Sequence, residues 1–117
     1  KIDKLILSTS KRTRLTSKYF TEKIHFDSIS YLDELYHASY SDIINIISKV
    51  ENNFNSVMVI GHNPGLTELI NQYTIMNIYN LPTTGVVKVE FKGDKWERIT
   101  ENKGIIVYKK FPKELKL

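Results

Sequence analysis

The stretch that most limits what this chain can fold into is Val57 to Ile70, VMVIGHNPGLTELI. Val57, Met58, Val59 and Ile60 make a continuous apolar run, the pattern of a strand covered on both faces. Gly61 permits a sharp turn or a close approach of the backbone to a ligand. Asn63 and Pro64 suit the N-cap and first position of a helix, where the missing proline N–H costs nothing. Leu66, Leu69, Ile70, Tyr73 and Met76 then recur at helical spacing. His62 therefore falls at a strand end, beside the unpaired N–H groups of a helix N-terminus, where anions are favoured. Ligands of α/β sheets sit at the carboxyl ends of strands. His62 thus reads either as an anion ligand or as a histidine that only hydrogen-bonds within a turn.

The elements around this stretch alternate in type. Lys4 to Leu7 (KLIL) is a strand, followed by the polar turn Ser8-Thr9-Ser10. A helix is predicted from about Lys11 to Thr21, with Leu15, Tyr19 and Phe20 as its apolar side. Arg12 and Arg14 lie in its first turn, where cations oppose the helix dipole unless an anion is nearby. Glu22 to Ser30 has little periodicity and is expected to be a connection with a brief strand at Ile24 to Phe26. Ser41 suits the N-cap of a helix from Asp42 to about Asn53, with Ile43, Ile46, Ile47 and Val50 as its buried stripe. After the histidine segment, Asn80 to Thr84 is loop and Gly85 to Phe91 alternates as a strand. Trp96 to Ile99 is expected as a short strand and Gly104 to Tyr108 as the last one. The order argues for one layered α/β domain over residues 1–117 with a mixed sheet.

Composition removes several classes of chemistry. The chain has 117 residues, enough for one domain with a real core, and carries a net charge of +4. Its basic clusters, at Lys11 to Arg14 and Lys109 to Lys113, lack the aromatic interleaving of a nucleic-acid binder, so no nucleic-acid partner is expected. There is no cysteine, which excludes disulfides and thiolate chemistry. That suits a reduced compartment, and a cytoplasmic location is expected. No apolar run approaches membrane-spanning length, so no membrane partner is expected either. His25, His37 and His62 have no metal-type spacing, and neither a P-loop nor a dinucleotide fingerprint is present. No metal or cofactor is expected.

What remains is an anion site built from two similar turns, Ser8-Thr9-Ser10-Lys11-Arg12 and Gly61-His62-Asn63-Pro64. If their strands lie near one another in a parallel sheet, both turns open on the same edge. Arg12 would then grip a phosphoryl group bidentately while His62 donates a hydrogen bond to it. The alternative for Arg12 is a plain surface arginine.

At these residues the chain resembles the histidine phosphatase superfamily, and within it the small SixA-type phosphohistidine phosphatase branch. LILSTSKRTRLTSKYF resembles the second-arginine segment and ELYHASYSDIINII the segment with a Leu-Tyr pair before a helix. VMVIGHNPGLTELIN resembles the second-histidine segment, and LPTTGVVKVEF, Trp96 and IIVYKKFPKEL the closing strands and tail. The resemblance spans essentially the whole chain. It implies a phosphoglycerate-mutase-like, three-layer α/β sandwich with a mainly parallel central sheet. It also implies hydrolysis through a phosphohistidine intermediate, with Arg12 and His62 as catalytic residues and Ser8 (at the pocket rim) and Asn63 as substrate-binding ones. Phosphate or a phosphorylated protein is the implied partner; the oligomeric state stays open.

One departure matters. The family nucleophile is the histidine of an Arg-His-Gly at the end of a first strand, and no Arg-His-Gly occurs in this sequence. By the resemblance, the sequence opens a few dozen residues into the domain, without the first strand, the nucleophile loop and the first helix. That strand is expected inside the sheet, between the strands carrying Arg12 and His62. A general acid is not assigned, although Asp33, Glu34 and His37 fall near the corresponding region. The 117-residue chain is expected to be inactive by itself. Two further readings are a small-molecule phosphatase of the same superfamily and a non-catalytic phosphate- or phosphoprotein-binding module.

Overall fold

The computed structural model describes residues 2–74, 77–79, 86–90, 95–101 and 104–110. Strand β1 (Ile2–Ser8) leads into helix α1 (Lys11–Thr21), and β2 (Phe26–Leu32) follows. A 3-10 turn at Asp33–Leu35 precedes helix α2 (Tyr40–Ser48), strand β3 (Val57–Ile60) and helix α3 (Gly65–Tyr73). Strands β4 (Val86–Glu90) and β5 (Ile105–Lys110) flank a second 3-10 turn at Trp96–Glu101.

The first three strands form a parallel sheet in the order β2-β1-β3, while β4 and β5 pair antiparallel as a separate two-stranded sheet. Leu5 stands opposite both Ile29 and Met58, and Leu7 opposite both Tyr31 and Ile60. β1 is therefore hydrogen-bonded directly to β3. This overturns the expectation of a further strand between the arginine-bearing and histidine-bearing segments: their ladders are already paired to one another.

Alternation along β1 divides the core into two layers. Leu5 and Leu7 pack with Phe26 and Ile60 on one face, joined by Phe20 and Ile24 at the end of α1. Ile6 faces the other way, into a larger cluster with Leu35, Ile43, Ile44, Ile47, Val50 and Ile99. Helix, sheet and helices thus make three layers, as expected of the α/β class.

Several local expectations shift. α1 has the expected bounds but turns Thr13 and Ser17 inward, while Leu15 and Tyr19 are exposed. β2 runs seven residues rather than a brief stretch at 24–26. As an outer strand of the three, it exposes Ile29 and Tyr31 and places Ser28 and Ser30 at its less exposed positions, which hides the usual apolar alternation. β3 is only half-buried over Val57–Val59, not covered on both faces. α2 starts earlier: Ser39, not Ser41, is the N-cap, in a capping box with Asp42. Trp96–Ile99 is helical, not extended; a spacing of three suits a 3-10 turn and sets both residues against the α2 cluster. Met76, Gly85 and Phe91 lie outside the described residues.

Candidate functional site

The strand order locates the site before any side chain is considered. β1 is central, and the chain leaves it toward β2 on one side and reaches β3 on the other. α1 belongs to one face of the sheet and α3 to the other, since Phe20 packs with Leu5 and Leu7 while Leu66 and Leu69 pack with the opposite cluster. The turns after β1 and β3 therefore open side by side at a topological switch point, where α/β sheets place their ligands.

The histidine turn and the arginine turn meet there. His62 Nε2 lies 2.9 Å from Ser8 Oγ, and 3.5 Å from both Ser10 Oγ and Thr13 Oγ1. The hydroxyls are themselves ordered: Ser10 Oγ accepts from the Thr13 N–H at 3.2 Å and donates to Thr13 Oγ1 at 2.8 Å. Ser10 is thus the N-cap of α1 and part of the histidine's surroundings at once. Ser8, expected at the rim, is fully buried behind His62. Neighbouring Thr9 donates to Asp33 Oδ1 at 2.6 Å, tying this turn to the one after β2.

Asn63 sits one place earlier relative to its helix than expected. α3 begins at Gly65, and Pro64 occupies the cap position without a side-chain bond. Asn63 Oδ1 instead accepts from the Thr67 N–H at 3.2 Å and from Thr67 Oγ1 at 2.8 Å. It still serves the first turn of α3, reaching the usual third N–H of the helix from one position before the cap.

The two arginines separate clearly. Arg14 lays its guanidinium 5.2 Å from the centroid of the Tyr31 ring, a cation–π contact that accounts for its presence. Arg12 is exposed and makes no ion pair among the described residues, yet its charge is felt at His62. Burial lowers the His62 pKa below its ordinary value, and the charges of His37 and Arg12 push it the same way. The imidazole is therefore biased toward its neutral form, with the charges of His37 and Arg12 acting on it.

The sequence assigns no role to Thr13, and marks Tyr36 only as half of a Leu-Tyr pair. Thr13 was obscured because Leu15 and Tyr19 suggested a different inner face for α1, although Ser10, Thr13 and Ser17 recur at helical spacing. Tyr36 packs its ring 5.2 Å from that of His62, and no local pattern announces such a long-range contact. Gly61 proves an ordinary position: a Cβ there would meet only Leu66 at 3.9 Å. Gly65 is the position that needs glycine, because a Cβ would run into the Ala38 carbonyl oxygen. Among the described residues, no helix is long and apolar enough to cross a membrane.

The architecture is the SixA, phosphoglycerate-mutase-like α/β fold, and the resemblance read from the sequence holds at that level. A solved structure described as the putative phosphohistidine phosphatase SixA from Nakamurella multipartitia matches with a TM-score of 0.76 and 18% identity, over 95% of this chain and 71% of that one. A second, described likewise and from Agrobacterium tumefaciens, matches with a TM-score of 0.75 and 22% identity, over 96% of this chain and 69% of that one. No family model and no curated protein matches the sequence.

Proposed function

We propose that this chain binds phosphoryl groups at the His62–Arg12 site as part of a phosphatase, with phosphohistidine in a protein as its substrate class. The observation that carries this reading is the convergence of His62 and the hydroxyl-capped start of α1, which carries Arg12, at the carboxyl ends of two adjacent parallel strands. Such a site offers a planar guanidinium and an imidazole to the oxygens of a tetrahedral anion. A bound dianion favours the charged imidazole and opposes the lowering of the His62 pKa, so anion binding and His62 protonation reinforce one another. The fold shared with the two SixA-type structures agrees with this substrate class.

Hydrolysis through a phosphohistidine intermediate needs a nucleophile. Residues 1–117 contain no Arg-His-Gly, so for this chain the reading is phosphoryl binding, with turnover depending on a nucleophile from outside this sequence. A second reading is a non-catalytic phosphate- or phosphoprotein-binding module.

Calorimetric titration with vanadate or phosphate tests the site. Arg12→Ala is expected to weaken binding at least about tenfold, since charge-assisted contacts are worth about 1.5–3 kcal/mol, and Arg14→Ala to leave it nearly unchanged. Equal affinity in wild type and Arg12→Ala would remove the proposal. Incubation with a phosphohistidine-bearing protein separates the two readings: phosphate release by a longer form containing Arg-His-Gly supports the phosphatase, and binding without release by that form supports the module.

A further inference from the structure

Beside the described site stands a second imidazole that the proposed chemistry does not use. His37 is exposed, and its ring makes no hydrogen bond among the described residues. It packs edge-on against Tyr36, with centroids 4.4 Å apart, and Tyr36 in turn packs against His62. The three rings form one array reaching from the His62 turn to the loop before α2.

That loop is firmly seated. The Ala38 carbonyl lies over the α carbon of Gly65, leaving no room for a side chain there. Ser39 closes the other end through its capping box with Asp42, at 3.2 Å and 3.1 Å. Residues 36–39 are therefore held between the starts of α2 and α3, and His37 is placed next to the site by backbone packing rather than by its own bonds. His25 is the useful contrast: it is exposed too, but its Nε2 pairs with Asp27 Oδ1 at 3.1 Å.

Resting on the reading of His62 and Arg12 as a phosphoryl site, we infer that His37 is a third cationic contact for the bound anion, held on the rim by Tyr36 and by the packing of its loop on Gly65. Among the described residues, the charged or titratable groups near it are His62, on which Arg12 also acts, Asp33 and Glu34 on the preceding turn, Tyr36 beside it, and Asp42 in the first turn of α2. Asp33 and Asp42 are engaged by Thr9 and by the Ser39 backbone. The electrostatic coupling between His37 and His62 agrees with the two rings sharing one site. His37 acts on His62 as a like charge, and a dianion bound beside both would attract them to a common partner.

The test uses sulfate, which stays a dianion through the range of about pH 5 to 8 where histidine gains its charge. Proton NMR follows the three imidazole resonances across that range with and without saturating sulfate. The midpoints of His37 and His62 are expected to rise by about half to one pH unit with sulfate, while that of His25 stays put. His37→Gln is expected to weaken sulfate binding about three- to tenfold near pH 6 and much less near pH 8. A His37 midpoint that does not move while that of His62 rises would overturn the inference and leave the site intact. If neither midpoint moves and Arg12→Ala changes nothing, the phosphoryl site itself fails and the inference with it.

Discussion

Ser8 Oγ lies 2.9 Å from His62 Nε2, joining the last residue of β1 to the turn after β3 from beneath the site. The hydroxyl is fully buried and also accepts from the Ser10 N–H at 3.3 Å, so one oxygen fixes both the imidazole and the start of α1. Removing it takes this partner from the half-buried Ser10 N–H and from the His62 Nε2. Ser8→Ala is expected to cost about 1–2 kcal/mol of stability, read from urea unfolding. It should also weaken phosphate binding, whereas a hydroxyl with a purely structural role would lower stability alone.

The His62 pKa also sets a pH dependence of stability. It is lowered in the folded state, first by burial and then by the charges of His37 and Arg12. The unfolded chain thus takes up its proton more readily than the folded one. The stabilisation is fully present above the ordinary histidine value of about 6.5. It is lost as the pH falls through the lower folded value. The unfolding temperature of the wild type should therefore fall as the pH drops from about 6.5 toward that lower value, and His62→Gln should flatten this part of the profile. An unchanged profile in His62→Gln would assign the acid sensitivity to another group.

The strand–turn–helix around His62 and the inner stripe of α2 were legible because both sit where packing enforces a period. The edges were not. Phe26–Leu32 forms a full strand, but Ser28 and Ser30 dilute the alternation that would announce it. On α1 Leu15 and Tyr19 point outward and Thr13 and Ser17 inward, because the inner face at its N-terminal end meets the histidine site rather than an apolar core. Apolar spacing located the core-facing residues elsewhere; here the useful signal was the hydroxyl spacing. Arg12 and Arg14 look alike in the sequence, and only the position of the Tyr31 ring distinguishes them.

The start of α2 offers a direct contrast between neighbouring serines. Ser39 Oγ accepts from the Asp42 N–H at 3.2 Å while Asp42 Oδ2 accepts from the Ser39 N–H at 3.1 Å. Ser39→Ala is expected to cost about 1 kcal/mol, the usual loss for an N-cap. Ser41 lies within the helix and touches Ser39 only through its hydroxyl at 2.9 Å, so Ser41→Ala should stay within about 0.5 kcal/mol of wild type. Chemical denaturation of the two variants decides between the caps, and equal losses would argue against the Ser39 box.

The two glycines of the histidine segment give the sharpest pair. At Gly61 an added methyl meets only the Leu66 side chain at ordinary contact distance, 3.9 Å. Gly61→Ala should therefore change stability by less than about 1 kcal/mol. At Gly65 the methyl would meet the Ala38 carbonyl oxygen, which is backbone and cannot rotate away, with Ile43 Cδ1 a further 3.1 Å contact. Relief requires that α3 move away from the loop at 36–39, a form of overpacking that costs about 1–3 kcal/mol. That displacement would carry His62, on the α3 side, away from Tyr36 and His37, on the loop side. Gly65→Ala is accordingly expected both to lower the unfolding midpoint and to weaken sulfate binding, measured at a temperature where the variant remains folded. Weakened stability with full anion affinity would mean that the loop and α3 are not the elements that set the site's spacing.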